Sequence, residues 1–374
     1  MTGIYAQFQR RRQLRYFYAF VTFALIFLGG ETWAKWWPYT EKLLVVIASQ
    51  SWTHHSIFDS ASRAGSNPSL SAGWQFLRAY FDALWMALVV GLSIAAGIQA
   101  LLPRNWLTRI LKRSSESRNS LVGGLLSIPC MMCTCCGAPI TRSLVKEGVP
   151  DSSALAYWIG NPTLNPAVLA FLAFVGPWQW VLVRLVIGVI LVFGITTLVA
   201  KFGSKDNGRS KKNLNKKQVL PTPKQQLPLE SSPGIQALPV RYLKAWIHFA
   251  VTLLPEYLIL VFLLGVFRGW LFPFGNNIAH WGFAVILLAS LVGTLMVIPT
   301  AGEIPVLLSL ANAGAAPGIL GALLITLPAI SLPSVAMLGN GFGWKMVSLM
   351  LGAVVFMGLV SAGLLSLIYS LHLP

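Results

Sequence analysis

Apolar runs long enough to cross a lipid bilayer recur along almost the whole chain. Each run is roughly 20 residues long, which matches a hydrocarbon core about 30 Å thick. Hydrophobic residues make up 55% of the sequence and charged residues only 10%, whereas about a quarter of the residues in a soluble domain are charged. The sequence therefore predicts an all-α polytopic membrane protein, with about seven full transmembrane helices and two further apolar stretches that Pro and Gly break into re-entrant hairpins.

The first apolar run extends from Tyr16 to Gly30 and has no small-residue cleavage pattern. Four arginines precede it and three tryptophans follow it: Arg10, Arg11, Arg12, Arg15, Trp33, Trp36 and Trp37. Basic residues before a span and tryptophans after it are typical of a membrane anchor with a cytoplasmic N-terminus and an aromatic belt. We therefore expect this run to be the first transmembrane helix and not a cleaved signal peptide.

The chain carries a formal net charge of +17, but its basic residues lie in the N-terminal tail and in two loops. One loop spans residues 104–118, and the other is a linker at 203–244 that is rich in Lys, Pro and Ser. Loops rich in Lys and Arg stay on the cytoplasmic side, next to anionic lipid. We therefore predict two cytoplasmic loops and a disordered linker, with the bilayer and not nucleic acid as the partner of this charge.

The charge of these loops constrains how the chain crosses the membrane, and the chain is predicted to consist of four segments. If the stretch at 119–150 crossed the membrane fully, the basic linker would lie outside, against its charge. The sequence therefore predicts a re-entrant hairpin at 119–150 that opens from the cytoplasm. The predicted segments are a tail with the first helix and an external stretch at 1–74, a first transmembrane repeat at 75–202, the basic linker at 203–244, and a second transmembrane repeat at 245–374.

The two transmembrane halves match residue by residue. Leu121–Pro129 is identical to Leu291–Pro299 at six of nine positions. Acids, glycines and prolines pair in the same order along both halves: Asp82 with Glu256, Gly91 with Gly265, Pro139 with Pro305, Gly148 with Gly314, and Pro162 with Pro328. Because the first half starts outside and the second inside, we predict inverted-topology repeats, as in secondary transporters whose broken helices surround a substrate site. Alternatively, each Gly or Pro serves only helix packing.

All four cysteines lie within seven positions of the predicted hairpin: Cys130, Cys133, Cys135 and Cys136. Thiolates bind Cu(I), Hg(II) or trivalent arsenic better than oxygen ligands do, because soft donors match soft acceptors. We expect all four to bind substrate, with Cys133, Cys135 and Cys136 as ligands of a soft metal or metalloid that is itself the cargo. Alternatively, the cysteines are small packing residues. A structural zinc site is not expected, because sulfurs this close in sequence would strain closed tetrahedral geometry.

Polar residues at the other breaks extend the predicted substrate path. Asn161 and Asn165 lie in the motif Gly160-Asn-Pro-Thr-Leu-Asn-Pro166, where they either line a pore or cap a broken helix. Ser331 takes the polar role in the matching segment of the second repeat. The second repeat carries Glu303 where the first carries thiols, so we expect Glu303 to lie on the substrate path.

Two acids within apolar runs are candidates for proton coupling. Glu256 lies about eleven residues into its run, where a carboxyl group either carries a proton or pairs with an arginine such as Arg184 or Arg268. Asp82 is its counterpart nearer the outer end of a span. Two basic residues downstream of the thiols either activate them or face cytoplasmic headgroups: Arg142 and Lys146.

The run from Cys133 to Pro139, then Gly148 and the Asn-Pro pairs, resembles the predicted bacterial permeases that include the ArsP-type organoarsenical efflux permeases. The resemblance covers residues 75–200 and 245–370. It implies a multi-pass permease of the bacterial inner membrane, and some members export trivalent organoarsenicals through cysteine coordination. Cys133 and Cys135 match the family's C-x-C-G cysteines, whereas Cys136 before the Gly and the extra Cys130 depart from that pattern.

The leading interpretation is a secondary permease, not an enzyme, that exports a soft thiol-reactive solute, first of all a trivalent organoarsenical. No nucleotide-binding motif is visible, so we expect no ATP-driven step and no cofactor. One alternative is transport of Cu(I) or a small sulfur compound. Another, from a different class, is a membrane thiol-disulfide oxidoreductase with Cys130 and Cys133 as its redox pair. The sequence leaves the oligomeric state open.

Overall fold

The structure is a computed structural model that describes residues 2–49, 67–203, 238–267, 282–312 and 314–371. Side chains are described from residue 16 onward within these ranges. The described residues are almost entirely helical and include no strand. Because Pro and Gly interrupt the apolar runs, several runs fold as pairs of short helices and not as one long helix.

The described helices form an N-terminal helix and two sets that follow the same order. The N-terminal helix is α1 (Thr2–Glu31), which continues through a π-helical turn (Thr32–Trp36) into α2 (Trp37–Ser49). The first set comprises α3 (Leu70–Ala100), α4 (Arg104–Leu111), α5 (Glu116–Ser127), α6 (Thr134–Lys146), α7 (Asp151–Thr163), α8 (Pro166–Val175) and α9 (Trp178–Val189, extended through a second π-helical turn to Gly203). The second set comprises α10 (Leu238–Val266), α11 (Gly282–Leu295), α12 (Glu303–Asn312), α13 (Pro317–Ala329), α14 (Leu332–Phe342) and α15 (Trp344–Ser370).

Six segments of the described chain are long and apolar enough to cross a membrane: Tyr16–Ser49, Leu70–Ala100, Asp151–Val175, Trp178–Gly203, Leu238–Val266 and Trp344–Ser370. The bent pair α13 and α14, whose axes differ by 51°, is a seventh candidate. Two further pairs of short helices, α5 with α6 and α11 with α12, complete the arrangement. The prediction of an all-α polytopic membrane protein with about seven spans and two broken elements is confirmed.

The breaks of the two repeats have the same local backbone. Gly148 and Gly314 both adopt a φ of +80°, each in the turn before the third apolar element of its repeat. A left-handed φ is strained for a residue with a Cβ, which explains the glycine at both positions. Likewise, α7 and α13 each contain a proline near their ends. New helices then follow, with Asn165 and Ser331 as their N-terminal caps.

The α5–α6 element enters and leaves on one side of the molecule. Ser153, at the start of α7, donates a hydrogen bond of 2.9 Å to the carbonyl of Asn119, near the start of α5. Arg104, at the start of α4, donates a hydrogen bond of 2.8 Å to the carbonyl of Glu147, just after α6. Both ends therefore lie beside the basic loop at 104–118, as the re-entrant hairpin predicted at 119–150 requires.

The equivalent helices α3 and α10 pack antiparallel. Gly73, near the start of α3, lies against Val266 at the end of α10. At the opposite end of the pair, Trp246 of α10 donates its Nε1–H to the Oγ atom of Ser93 at 3.2 Å. Matching helices of the two repeats therefore run in opposite directions, as inverted topology requires.

The N-terminal helix is longer than the sequence analysis predicts. The sequence predicts a first span that ends near Gly30, with an external stretch from residue 32 onward. In the structure the helix continues to Ser49, and Tyr16–Ser49 is one candidate span. Charged residues after Gly30 interrupt the apolar run, but Glu31 and Lys35 are buried inside the protein and do not end the helix. Residues 50–66 of the predicted external stretch lie outside the described residues.

Two other predictions fall wholly or partly outside the described residues. Of the predicted linker at 203–244, residues 204–237 are not described. The rest is helical, because α10 begins at Leu238 and not at the predicted start of the span. Arg268, which the sequence analysis named as a partner for Glu256, also lies outside the described residues.

Candidate functional site

Each repeat contains a crease between its two short helices where the α-helix is interrupted. The first crease, residues 128–133, joins α5 to α6, and the second crease, residues 296–302, joins α11 to α12. Met131 in the first crease (φ 47°) and Ala301 in the second (φ 68°) are the two non-glycine residues with positive φ in the described part of the chain. Residues with a Cβ adopt this conformation rarely, so the surrounding packing imposes it on both creases.

Three of the four thiols converge where the first crease meets α6. The Sγ atom of Cys133 lies 3.1 Å from that of Cys135 and 2.7 Å from that of Cys136. The three sulfur atoms all lie within 4.8 Å of one another, and all three side chains are buried. We call Cys133, Cys135 and Cys136 the thiol cluster. Cys133 caps α6 and the other two lie in its first turn, so the start of this helix brings the sulfur atoms together.

Cys130 lies apart from the thiol cluster. Its Sγ atom accepts a hydrogen bond of 3.3 Å from the hydroxyl of Tyr157, and it lies 3.5 Å from the carbonyl oxygen of Leu126. The structure therefore brings together three of the four cysteines predicted to bind substrate, and it gives the fourth a separate partner in α7.

The two predicted asparagines support the first crease and cap α8. The side-chain oxygen of Asn161 accepts a hydrogen bond of 3.4 Å from the backbone N–H of Met132, and its nitrogen donates at 2.8 Å to the carbonyl of Tyr157. The side-chain oxygen of Asn165 accepts from two backbone N–H groups in the first turn of α8, at 3.0 and 3.4 Å. Among the described residues, the buried side-chain nitrogen of Asn165 has no hydrogen-bond partner, so it is available to a ligand.

Ser331 brings the broken helix of the second repeat to the thiol cluster. Its Oγ atom lies 3.0 Å from the Oγ1 atom of Thr134, which is flanked in sequence by two of the cluster cysteines. Both side chains are buried. Ser331 is also the N-cap of α14, where it forms a capping box with Ser334. One hydroxyl group therefore links the second repeat to the start of α6.

A buried ion pair connects the two repeats. The Nη2 atom of Arg184 lies 2.8 Å from the Oε1 atom of Glu303, and the two side chains are 0% and 3% exposed. The same nitrogen donates at 2.8 Å to the carbonyl of Pro162, and Nε donates at 3.4 Å to that of Thr163. Arg184 therefore satisfies carbonyls near the end of α7 and neutralises Glu303. It does not pair with Glu256, which was one of the alternatives.

The N-terminal helix contributes side chains that the sequence analysis missed. The Nζ atom of Lys35 donates a hydrogen bond of 3.0 Å to Oγ1 of Thr300 in the second crease. Trp36 donates its Nε1–H at 2.8 Å to the carbonyl of Pro129 in the first crease. The Tyr39 hydroxyl donates at 3.1 Å to the carbonyl of Thr300. Lys35 and Trp36 lie in the π-helical turn, a feature often found at functional sites, and the helix contacts both creases there.

Lys35 is buried at the point where the N-terminal helix contacts both creases. Glu31, one turn earlier, is also buried, and both of its carboxyl oxygens lack a hydrogen-bond partner among the described residues. A four-residue spacing places the two charges on one helix face, and apolar residues resume at Leu43. That pattern is a sequence signal that the helix continues beyond Gly30.

The predicted proton-coupling acids lie on the α3–α10 pair. Asp82 is exposed and Glu256 is half-buried. Neither carboxyl group forms a hydrogen bond or an ion pair with the described residues. Their coupling role stays a prediction.

The two basic residues downstream of the thiols have other contacts. Arg142 donates a hydrogen bond of 3.5 Å to the carbonyl of Met337 in α14. The Nζ atom of Lys146 lies 5.4 Å from the ring centre of Phe249 in α10. In the part of the chain that the structure describes, these two side chains contact α14 and α10 and form no hydrogen bond to the thiol cluster.

The thiol cluster has the ligand set of a two- or three-coordinate site for a soft ion or metalloid. Within the described chain no His, Asp, Glu or further Cys completes it as a fourth ligand, whereas structural zinc sites use four. The Tyr80 hydroxyl lies 3.7 Å from the sulfur of Cys135 and closes another side of the cluster. Because all three thiols are buried, a solute reaches them only when the surrounding helices move.

Comparison with known proteins identifies relatives along most of the chain. The chain is 37% identical over 350 residues to the UPF0718 protein YraQ of Escherichia coli (strain K12). The aligned region covers 91% of this chain and 93% of that protein. It is 29% identical over 124 residues to the UPF0718 protein YcgR of Bacillus subtilis (strain 168), covering 32% of this chain and 41% of that protein. No solved structure matches. The ArsP_1 family, described as a predicted permease, matches residues 83–370. The resemblance seen in the sequence is therefore confirmed, and the chain belongs to the ArsP_1 family of predicted permeases.

Proposed function

We propose that this permease is a secondary transporter of the bacterial inner membrane that exports a soft, thiol-reactive solute, with trivalent organoarsenicals as the first candidate cargo. The observation that carries the proposal is the thiol cluster, whose three sulfur atoms lie within 4.8 Å of one another at the crease of a repeat. Thiol ligands favour soft metal ions and metalloids over Mg²⁺ or Ca²⁺. Membership of a predicted permease family supports transport of such a solute and not its chemical conversion.

Capture of an arsenical by thiols is a ligand exchange without a change in oxidation state. Each thiol forms an As–S bond, an As–O bond breaks, and the thiol proton leaves with the hydroxyl group as water. Two exchanges bind a methylarsenite molecule, and the third thiol can then displace one of the first two. The short distances between Cys133 and its two neighbours, 3.1 and 2.7 Å, support this stepwise transfer from sulfur to sulfur.

Inverted repeats supply the alternating access that export needs. In transporters of this type one repeat moves against the other around a central site, which opens to one side at a time. The contact of Thr134 with Ser331 crosses between the repeats beside the thiol cluster, and the ion pair of Arg184 with Glu303 also joins the repeats. A relative movement of the repeats would therefore change access to the thiols. The proposed acids that couple this movement to protons are Glu256 and Asp82.

We assign cargo entry to the cytoplasmic side. The α5–α6 hairpin opens beside the basic loop at 104–118, and such loops are retained in the cytoplasm, together with the N-terminus and the linker at 203–244. Thiols also remain reduced on that side. Outward transport follows from this orientation, and it protects the cell from a toxic soft solute.

The test is resistance to arsenicals in a sensitive bacterial strain. Cells that produce the protein should tolerate more methylarsenite or phenylarsine oxide than cells with an empty vector, and the double variant Cys133→Ser, Cys135→Ser should lose this tolerance. Cys130→Ser is the matched control, because Cys130 lies outside the thiol cluster and its variant should keep most of the resistance. Immunoblots of the membranes normalise for protein amount. Full resistance from the double variant would refute thiol capture.

Cu(I) and small sulfur compounds are the other candidate cargoes of the same site. A panel of copper, silver, arsenicals and thiosulfate, applied to a deletion strain with and without the gene, separates them. Protection against copper without protection against arsenicals would replace the arsenical assignment. Protection against arsenicals that disappears in the double variant supports it.

A further inference from the structure

Two members of the thiol cluster have the sequence spacing of a redox-active pair. Cys133 and Cys136 enclose two residues in a C-x-x-C motif. Cys133 is the N-cap of α6, and Cys136 lies in the first turn of that helix. A helix N-terminus and a C-x-x-C motif both favour the thiolate, which is the group that attacks a disulfide. One helical turn therefore carries the groups that thiol–disulfide exchange needs.

The sulfur atoms of this pair lie close to bonding distance. The Sγ atoms of Cys133 and Cys136 are 2.7 Å apart, whereas a disulfide bond is about 2.05 Å long. An approach of about 0.7 Å would therefore join them. The Sγ atom of Cys135 lies further from that of Cys133, at 3.1 Å, and residues two apart on a helix do not face each other. The pair that closes most readily is Cys133 with Cys136.

Cys130 is less well placed as a redox partner of Cys133. Its Sγ atom accepts a hydrogen bond of 3.3 Å from the hydroxyl of Tyr157, and it lies outside the group of sulfur atoms that are within 4.8 Å of one another. The sequence analysis named Cys130 and Cys133 as the redox pair of its oxidoreductase alternative. The distances favour Cys136 in place of Cys130.

We propose that Cys133 and Cys136 form a reversible disulfide, so that the cargo site is also a redox modification site whose oxidant is a low-molecular-weight disulfide. The Cys133 thiolate attacks one sulfur atom of the oxidant, which forms a mixed disulfide and releases one small thiol. The Cys136 thiolate then attacks the sulfur of Cys133, the mixed disulfide breaks, and the second small thiol leaves. The two protein thiols lose two electrons and two protons, which the oxidant takes up as it becomes two thiols.

The disulfide removes two of the three thiols of the cluster. Cys135 remains, and one thiol cannot form the two As–S bonds that hold methylarsenite. This effect on capture rests on the proposed function, whereas formation of the disulfide does not. All three thiols are buried, so the oxidant reaches them through the same opening as the cargo. Capture is therefore lost when small disulfides accumulate, and it returns when reduced thiols cleave the bond.

The experiment oxidises the purified full-length protein in detergent with oxidised glutathione and, in parallel, with diamide, a smaller oxidant of dithiols. The protein is then unfolded, its free thiols are blocked with N-ethylmaleimide, the disulfide is reduced, and the newly freed thiols are labelled with iodoacetamide. Mass spectrometry should find iodoacetamide on Cys133 and Cys136, and N-ethylmaleimide on Cys130 and Cys135. After removal of the reagents, the oxidised protein should bind phenylarsine oxide at least about tenfold more weakly than the reduced protein.

Two variants test the pairing in buffers of oxidised and reduced glutathione. Cys130→Ser is the matched control and should be half oxidised at the same glutathione ratio as the wild type. Cys136→Ser lacks the second thiol of the pair, so half oxidation should need at least about tenfold more oxidised glutathione. Oxidation of Cys136→Ser at the wild-type ratio would overturn the pairing, and so would iodoacetamide on Cys130.

Failure of the disulfide and failure of the proposed function give different results. If the reduced protein binds phenylarsine oxide and neither oxidant joins Cys133 to Cys136, only the disulfide is wrong. If the disulfide forms but the reduced protein does not bind phenylarsine oxide, thiol capture is wrong and the modification site stands. Binding of phenylarsine oxide that survives oxidation would refute the effect of the disulfide on capture.

Discussion

Replacing Arg184 with leucine should strongly destabilise the protein. Arg184 pairs with Glu303 at 2.8 Å and donates to the Pro162 carbonyl at the same distance, and both charged side chains are buried. Loss of one partner leaves the other charge buried and unpaired, which costs about 3–5 kcal/mol. The carbonyl left without its donor adds about 1–3 kcal/mol. We therefore expect Arg184→Leu to lower the free energy of unfolding by at least about 3 kcal/mol.

A double variant separates the cost of the unpaired charge from the cost of lost packing. Replacing both members of a buried ion pair with apolar residues is often neutral or stabilising, by about 1–4 kcal/mol. The variant Arg184→Leu, Glu303→Leu should therefore unfold at a higher temperature than Arg184→Leu alone. Phe356→Leu, on an exposed face of α15, is the matched control and should leave the unfolding temperature unchanged.

The buried cysteines provide the assay. All four are free and buried, so a fluorophore that reacts with thiols reports unfolding of the purified protein in detergent during a temperature ramp. An unfolding midpoint for Arg184→Leu equal to that of the control would refute the buried ion pair. A double variant no more stable than Arg184→Leu would show that the unpaired charge is not the source of the loss.

Three further experiments test the surroundings of the thiol cluster. Gly91→Ala would place a Cβ 2.6 Å from the backbone carbonyl oxygen of Cys136, so we expect phenylarsine oxide binding to weaken about tenfold. Gly352 has open space around it, so the control variant Gly352→Ala should bind phenylarsine oxide as the wild type does. Extended labelling with N-ethylmaleimide, read out by mass spectrometry, reports which thiols have reacted. Bound phenylarsine oxide should protect the three thiols of the cluster from labelling but not Cys130. Equal protection of all four cysteines would contradict their division into a cluster and a separate thiol. Thr134→Val removes the hydrogen bond to Ser331 and should lower the free energy of unfolding by about 1 kcal/mol. An unchanged unfolding midpoint would show that this contact between the repeats does not stabilise the protein.

The helix order and the two creases were predictable because they depend on local sequence. The lengths of the apolar runs set the number of spans, and paired prolines and glycines mark where both repeats break. Leu121–Pro129 and Leu291–Pro299 are similar because each segment forms the end of a short helix and the start of a crease. Gly148 and Gly314 adopt the same left-handed φ of +80°, which explains why both repeats keep a glycine there.

The burial of charged residues was not predictable in the same way, because it depends on distant contacts. Glu31 and Lys35 end an apolar run by hydropathy alone, but Lys35 bonds to a residue 265 positions away. The partner of Arg184 lies 119 positions away, in the other repeat. Sequence spacing left several thiol groupings open, and the start of α6 decides among them by excluding Cys130 from the cluster.

Transport of phenylarsine oxide into everted membrane vesicles tests the central claim most directly, because these vesicles present the cytoplasmic face to the solution. Arsenic inside the vesicles is measured by mass spectrometry after filtration, with vesicles from cells lacking the protein as the baseline. The proposed mechanism predicts accumulation with the wild type and with Cys130→Ser, and none above baseline with Cys133→Ser, Cys135→Ser. Equal accumulation by the wild type and the double variant, or no accumulation by the wild type, would contradict it.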